Sequence, residues 1–265
     1  MTNKVKKPNR FVTAVFFLAI AYLYVPLCYL VVQTFLKDPN NIRGGWTLEW
    51  ILNLLHNPDL LSPLWTSIEI GVLSATLAVI VGTLGAVGLT PVASRLPVPV
   101  QTLILLPILL PEVITGLSLL LFFLLLRFEL GFFTVAIAHA SFSASFVYFI
   151  VTEQLRKLDP NLSEAAQDLG ARPDQIFWKV TVPNVLPGIF GGWMLAFTLS
   201  FDDFLISFFT SGAGVTTLPL KIYSLMRLGI SPELNGLSFL MILLSVCLVI
   251  ALLLRRESRE WVLKR

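Results

Sequence analysis

The chain has 265 residues, of which 56% are hydrophobic and only 13% are charged, and its mean hydropathy is +0.82. Soluble domains carry about 25% charged residues, so this composition excludes an ordinary soluble protein and indicates an integral membrane protein. The formal net charge of +3 gives no indication of a nucleic-acid partner, because the basic residues follow the pattern expected of membrane topology.

Apolar stretches long enough to cross a bilayer occur six times. A spanning helix needs about 20 apolar residues. Lipid offers no hydrogen-bond partners, so the backbone N–H and C=O groups of each span must bond one another, as they do in a helix. We therefore predict an all-α integral membrane protein with one transmembrane domain over residues 1–265. Its six predicted spans lie at about 11–35, 66–89, 100–126, 131–152, 186–210 and 235–254.

The distribution of Lys and Arg predicts the orientation of these spans. Fourteen of these residues lie on the side that holds the N-terminus, and five lie on the other side. Because cytoplasmic loops carry the excess of Lys and Arg, both termini and the loop 153–185 are predicted to be cytoplasmic. The first span is about 25 residues long and lacks a small-residue cleavage site, so we expect an anchor that is not removed.

Between the first two spans, the external segment 37–62 contains TLEWILNLLHN (47–57), which we expect to form a helix at the membrane interface. The third span has Pro107 and Pro111 four residues apart. Proline removes a backbone donor and clashes with the preceding turn, so this span is predicted to be kinked or locally unwound. His139, in the fourth span, is interpreted as a structural residue that bonds a neighbouring helix.

Three carboxylates fall within predicted spans, at Glu112, Asp202 and Asp203. A carboxylate at the bilayer centre costs about 2.5 to 3.5 kcal/mol by insertion scales, so these groups should face protein or water and are candidates for a cation pathway. Adjacent helical residues point roughly 100° apart, so one Asp can line the pathway while its neighbour bonds another helix. The alternative is that all three are structural polar groups or lie near the interface.

The fifth span also carries aromatic residues at helical spacing. This spacing favours packing in the bundle or against lipid over an aromatic cage. The residues are Trp193, Phe197, Phe201, Phe204 and Phe208. After this span, an external helix is predicted that begins at Pro219 and ends at Gly229.

A polar stretch, residues 159–183, separates the fourth and fifth spans. Asp159 is a good N-cap, Gly170 a good stop and Pro173 a good second start, so two short helices are predicted. The first helix has a narrow apolar stripe at Leu162, Ala165, Ala166 and Leu169. The simplest interpretation is a solvated surface hairpin. A DNA-binding helix-turn-helix is disfavoured because the stretch has no basic face, so no nucleic-acid partner is expected.

Several residues of this hairpin resemble the EAA motif of ABC importer permeases. The motif reads EAA, three residues, Gly, nine residues, Ile-x-Leu-Pro, and the matching residues are Glu164, Ala165, Ala166, Gly170, Val180, Val182 and Pro183. The two valines are conservative departures. The resemblance implies a type I ABC importer permease, in which this cytoplasmic hairpin docks on an ATP-binding subunit. Glu164, Ala165, Ala166 and Gly170 would then be the coupling residues.

The chain has no G-x-x-x-x-G-K-[ST] stretch, and it has no metal-ligand or Ser/His/Asp pattern. We therefore expect a permease subunit without catalytic residues, cofactor or metal of its own. ATP and Mg would be bound by partner ATPase subunits.

Three further stretches resemble the second permease of spermidine/putrescine importers: YLYVPL (22–27), FTLSFDDFLISFF (197–209) and LPLKIYSLMRLGISPELN (218–235). The resemblance implies a multi-pass protein of the bacterial inner membrane that carries a polyamine. It also implies three kinds of partner, namely ATP-binding cassette subunits, a second homologous permease and an extracytoplasmic solute-binding protein.

A polyamine needs separated negative groups and apolar walls, and Glu112, Asp202 and Asp203 would supply the charge. Metal cations, anions and sugars are alternative solutes for an ABC importer. A secondary carrier would need no ATPase, and the EAA spacing disfavours it. A membrane enzyme is disfavoured because the sequence has no catalytic pattern.

Overall fold

The computed structural model describes residues 10–38, 41, 43–90, 97–159, 161–228, 234–247 and 250. Within these ranges the chain is helical, and no strand is present beyond an isolated bridge between Leu36 and Trp46. The all-α prediction is confirmed for this part of the chain. The helices are α1 (Arg10–Thr34), α2 (Glu49–His56), α3 (Pro58–Leu89), α4 (Val98–Leu109), α5 (Glu112–Leu125), α6 (Phe132–Leu155), α7 (Asn161–Asp168), α8 (Pro173–Ile176), α9 (Val182–Asp202), α10 (Leu205–Thr210), α11 (Leu218–Leu228) and α12 (Leu234–Cys247).

Four helical stretches in the described ranges are long and apolar enough to cross a membrane: α1, α3, α6 and the continuous stretch Pro173–Asp202. A fifth is added if α4 and α5, which diverge by 110°, count as one broken span. The predicted kink of the third span is therefore confirmed. The sixth predicted span, 235–254, lies partly outside the described residues, and α12 alone is shorter than a span. Both chain ends, 1–9 and 251–265, also lie outside them.

The fifth predicted span, at about 186–210, is divided into two helices. The helix ends at Asp202, and a separate short helix begins at Leu205. The second span also begins earlier than residue 66, at Pro58. Asn57 caps it, because its side chain accepts a hydrogen bond from the backbone N–H of Asp59 at 3.0 Å.

The centre of the molecule is a three-helix core made by α3, α6 and α9. Small residues allow close approach: a Cβ added at Gly82 would lie 2.7 Å from Val147 Cβ and 2.8 Å from the carbonyl oxygen of Ala144. Within this core, the rings of Phe197 and Phe201 are buried and stack at 5.9 Å between centroids. This part of the aromatic stripe is therefore packing, as predicted.

Contacts along the core show the relative directions of its helices. Ile70 clusters with Val135, and twelve residues further on Gly82 meets Val147, so α3 and α6 run parallel. On the other side of α6, Gly188 meets Gln154 while Gly192 meets Val147, so α9 runs antiparallel to α6.

Two of the other helices are attached at one end. The hydroxyl of Thr34, at the end of α1, donates a hydrogen bond to the carbonyl oxygen of Asn235 at 3.2 Å, whereas most of α1 is exposed. The backbone N–H of Leu218, at the start of α11, donates to Ser67 Oγ at 2.8 Å. The predicted helix at 47–57 is confirmed as α2, and the predicted external helix corresponds to α11 up to Leu228.

Candidate functional site

The fifth span is broken at Asp203. This residue takes extended backbone angles, with φ −67° and ψ 124°, between α9 and α10. A break leaves backbone groups without intrahelical partners, and those groups need other partners where water is excluded. The side chain of Asp203 supplies one partner, because its Oδ1 accepts a hydrogen bond from the backbone N–H of Ser207 at 2.8 Å.

Asp203 is also paired with a histidine from another helix. Its Oδ1 lies 3.2 Å from Nε2 of His139 on α6, and the side chains of Asp203 and His139 are only 6% and 1% exposed. When the Asp203 carboxylate is ionised it can only accept hydrogen bonds, and Nε2 of His139 is then the nitrogen that donates to it. The carboxylate thereby has the donor that an acidic group in an apolar span requires.

The second ring nitrogen of His139 also has a partner. Nδ1 lies 2.7 Å from Ser200 Oγ on α9, while Ser207 Oγ on α10 lies 3.1 Å from Nε2. Ser200 and Ser207 are both buried. One imidazole thus joins α6 to both halves of the broken span. We call His139, Ser200, Asp203 and Ser207 the His139 cluster.

Glu112 lies at the other broken span. Leu110 and Pro111 have extended backbone angles between α4 and α5, and Glu112 is the first residue of α5. The residue is exposed. Pro111 ends the preceding helix because the residue before a proline is disfavoured in helical geometry, so the break is encoded locally.

The packing of α5 on α10 brings the two breaks together. A Cβ added at Gly116 would lie 2.9 Å from Phe209 Cδ2 and 3.2 Å from Ile206 Cα, so only glycine allows this approach. Glu112 lies one turn before Gly116 on the same helix. Asp203 directly precedes the part of α10 that Gly116 contacts, so the two carboxylates flank the same helix contact.

The three predicted pathway carboxylates therefore have different surroundings. Asp202 is exposed and has no hydrogen bond or ion pair with any residue that the structure describes, and Glu112 is exposed as well. Asp203 is buried in the His139 cluster. The expectation that one residue of the Asp pair bonds a different helix is met by Asp203.

Sequence reasoning missed the partner of Asp203. It treated His139 as a structural residue, which agrees with its burial, but it did not connect the two side chains. A signal was present, because His139 is the one histidine inside a predicted span and each ionisable group there needs a partner. The two serines carried no comparable signal, since a serine in a helix can satisfy itself on its own backbone.

The polar loop folds into the two predicted helices. The backbone N–H of Asn161 donates to Asp159 Oδ1 at 3.0 Å, so Asp159 caps α7 as expected. Gly170 follows α7 with φ +79°, a left-handed conformation that glycine adopts without strain. The second helix, α8, begins at Pro173 as predicted.

The residues of the EAA resemblance lie on the surface of this hairpin. Glu164 and Ala165 are exposed and Ala166 is partly buried. Leu162 is 43% exposed and Leu169 is 89% exposed, so most of the apolar stripe of α7 is left uncovered by the residues that the structure describes. An uncovered apolar stripe beside charged residues is typical of an interaction surface.

A π-helical segment, Phe177–Thr181, joins the hairpin to the fifth span. The backbone N–H of Val182 bonds the carbonyl oxygen of Phe177, five residues earlier. Pro183 has no N–H to donate, and its ring would clash with the carbonyl group four residues earlier in a regular α-helix. The wider turn removes that clash, so this π segment is explained by the proline of the resemblance.

Comparisons with known proteins agree with this architecture. Residues 70–256 match the family described as "Binding-protein-dependent transport system inner membrane component". The putrescine transport system permease protein PotI of Escherichia coli (strain K12) is 38% identical over 246 residues, which cover 90% of this chain and 87% of PotI. The spermidine/putrescine transport system permease protein PotC of the same organism is 37% identical over 242 residues, which cover 91% of this chain and 90% of PotC.

Two solved structures share the fold. A chain of a bacterial alginate ABC transporter aligns with a TM-score of 0.67 at 14% identity, over 91% of each chain. A chain of the MetNI methionine ABC transporter aligns with a TM-score of 0.58 at 20% identity, over 77% of this chain and 94% of that one. The long family match and the two relatives above 30% identity decide the assignment. The chain belongs to the family of inner-membrane components of binding-protein-dependent transport systems.

Proposed function

We propose that this chain is the permease subunit of an ATP-driven importer of polyamines and has no catalytic residues of its own. The observation that carries the proposal is the pair of exposed carboxylates, Glu112 and Asp202, at the two breaks in the spans. A linear polyamine with ammonium groups along an alkyl chain needs negative groups that are set apart. PotI and PotC are named for putrescine and for spermidine/putrescine transport, which supports the same substrate class here.

The proposed topology has six spans, with both termini and the hairpin in the cytoplasm. The directions of the core helices support it, because α3 and α6 run parallel and α9 runs antiparallel to them. These directions require one crossing between α3 and α6, which α4 and α5 would supply as a single broken span. If the hairpin is cytoplasmic, α9 would run from the inside to the outside.

The hairpin is the proposed contact with an ATP-binding cassette subunit, which would bind ATP and Mg. Its uncovered apolar stripe and the coupling residues Glu164, Ala165, Ala166 and Gly170 would supply the docking surface. The stretch Pro173–Asp202 is continuous, so a displacement of the hairpin would be transmitted along one helix to Asp202. ATP binding would in this way switch the pathway between access from the outside and access from the cytoplasm.

The face opposite the hairpin has a cleft that could receive a further partner. A cleft of about 560 Å³ lies between the start of α3 and the start of α11, and Asp59, Ser211 and Lys221 are among its lining residues. We propose that an extracytoplasmic solute-binding protein delivers the polyamine on this side. A second, homologous permease would complete the pathway across the membrane.

Reconstitution of the complete transporter in proteoliposomes tests this function. Uptake and ATP hydrolysis are measured with putrescine, spermidine, a divalent metal cation, an inorganic anion and a sugar. We expect the polyamines alone to stimulate both activities. Stimulation by another solute class would instead support the alternative of an importer for that solute, and uptake that continues without ATP hydrolysis would indicate a secondary carrier.

A further inference from the structure

The proposed transport pathway does not explain the function of the His139 cluster. Besides Asp203, the cluster contains three polar side chains with almost no exposure, and they hold its carboxylate inside the protein directly or through His139. Both nitrogens of His139 have partners, and those partners lie on α9 and on α10. The arrangement therefore determines where the second half of the broken span begins.

The cluster is connected to Glu112 by direct packing. Asp203 Oδ1 accepts from Ser207 N–H in the first turn of α10. Residues on either side of Ser207 contact α5 at Gly116, where an added Cβ would lie 3.2 Å from Ile206 Cα and 2.9 Å from Phe209 Cδ2. A shift of Asp203 would therefore move α10 and, through Gly116, the start of α5.

We propose that His139 is a positioning residue for the cation pathway. It holds Asp203 inside the protein as the acceptor for the first turn of α10, so that Glu112 and Asp202 remain as the carboxylates that receive a cationic solute. That the solute is a polyamine rests on the proposed function. The role of His139 in positioning Asp203 does not depend on the identity of the solute.

The expected consequence of losing His139 follows from electrostatics. A buried carboxylate without its donor is strongly disfavoured and moves toward water. On that side it would be repelled by the carboxylates of Asp202, the preceding residue, and of Glu112. Both the position of α10 and the local charge of the pathway would then change.

Two substitutions distinguish the hydrogen bonds made by the two ring nitrogens of His139. The amide of Asn branches from Cγ, where Nδ1 is attached, so His139→Asn can reach Ser200 but not Asp203. The amide of Gln extends one bond further, so His139→Gln keeps a donor beside Asp203. In the reconstituted transporter we expect His139→Asn to raise the KM for polyamine uptake about tenfold or more, and His139→Gln to raise it by no more than about threefold.

Ser143→Ala is the matched control for a buried polar residue on the same helix. Its hydroxyl lies one turn beyond His139 and has no hydrogen-bond partner among the residues described. We expect the KM of this variant to equal the wild-type value. Equal effects of the Asn and Gln substitutions at His139 would show that the residue fills space only, and would overturn the inference.

Asp203→Asn provides a second test that does not depend on the folding of His139 variants. Asparagine retains an oxygen that can accept from Ser207 N–H, so the start of α10 should be preserved. If Asp203 acts in positioning, this substitution raises the KM clearly less than Glu112→Gln or Asp202→Asn does. An effect as large as theirs would make Asp203 a solute ligand and overturn the inference.

A readout without substrate distinguishes failure of this inference from failure of the proposed function. Glu112→Cys is introduced into a chain with Cys28→Ser and Cys247→Ser, and its reaction rate with a charged thiol reagent is measured. Adding His139→Asn should change the rate several-fold, and adding His139→Gln should not. Equal rates would overturn the positioning role even if polyamines are transported. An absence of polyamine uptake with unequal rates would overturn only the proposed function.

Discussion

Three carboxylates that look alike in the sequence differ in burial, and burial determines what each can do. Asp203 is buried beside His139 and supports the fold of a broken span. Glu112 and Asp202 are exposed, and each lies at the end of a helix that stops within a predicted span. Only the two exposed groups can contact a solute without first losing a protein partner.

Neutralising the exposed carboxylates should weaken solute binding. We expect Glu112→Gln and Asp202→Asn each to raise the KM for polyamine uptake roughly tenfold, because a hydrogen bond to a charged group contributes about 1.5 to 3 kcal/mol. Uptake should fall more than basal ATP hydrolysis in the double variant. Glu49→Gln, at an exposed acidic residue of α2, is the control and should behave as wild type. A parallel loss of uptake and basal hydrolysis would indicate a folding defect.

At the residue scale, the sequence identified the ionisable side chains inside the predicted spans but did not predict their partners. Insertion energetics select ionisable residues in apolar spans, and that selection found Glu112, Asp202 and Asp203. Which member of the Asp pair is buried depends on where His139 lies in space. His139 and Asp203 are more than 60 positions apart in the chain, so local sequence patterns cannot predict their contact.

At the scale of helices, close packing depends on single glycines. Gly82→Ala would place a methyl group 2.7 Å from Val147 Cβ and 2.8 Å from a backbone carbonyl, so α3 and α6 must separate. Such overpacking costs about 1 to 3 kcal/mol. Gly88→Ala is the control on the same helix, because nothing lies within 4 Å of its added Cβ. Thermal unfolding of the purified subunit in detergent should show a lower midpoint for Gly82→Ala only.

The hairpin gives a second prediction at this scale. Replacing Glu164 by Lys, or Gly170 by Val, should reduce the amount of solute imported per ATP hydrolysed, while the protein still inserts into the membrane. Valine is strained at φ +79°, whereas asparagine tolerates this region. Gly170→Asn should therefore keep more of the wild-type ratio than Gly170→Val. A wild-type ratio in both Glu164→Lys and Gly170→Val would contradict a coupling role.

Helices were predictable from sequence where their ends are encoded locally. Asp159, Gly170 and Pro173 predicted the ends of the hairpin helices, and the Pro107 and Pro111 pair predicted the break in the third span. The break at Asp203 was not predicted, because the surrounding FTLSFDDF contains neither Pro nor Gly. A buried histidine on another helix stabilises that break, and the sequence around Asp203 does not indicate this tertiary contact.

For the whole molecule, composition and the distribution of basic residues predicted a multi-pass membrane protein, and the family assignment agrees. The count of six spans stays a prediction, because 251–265 and other segments lie outside the described residues. The parallel arrangement of α3 and α6 was not an explicit prediction. It follows from which small residues face each other, and a sequence pattern shows only that such residues are present.

Site-directed labelling tests the proposed orientation. In a chain with Cys28→Ser and Cys247→Ser, single cysteines are introduced at Gln167 in the hairpin and at Asn53 in α2, both exposed positions. A membrane-impermeant maleimide added to intact spheroplasts should label position 53 and should label position 167 only after the membrane is opened. Labelling of position 167 in intact spheroplasts would place the hairpin outside and exclude contact with a cytoplasmic ATPase.

The π segment determines how far a small movement of the hairpin could reach. α9 begins where the segment ends and has 21 residues, so at about 1.5 Å per residue it extends about 30 Å from Val182 to Asp202. Bending is easiest at irregular turns and at prolines, so the π segment and Pro187 inside α9 are the points about which the helix would pivot. A pivot of about 10° over that length would carry the Asp202 carboxylate about 5 Å sideways, about the length of three carbon–carbon bonds and enough to release an ammonium group.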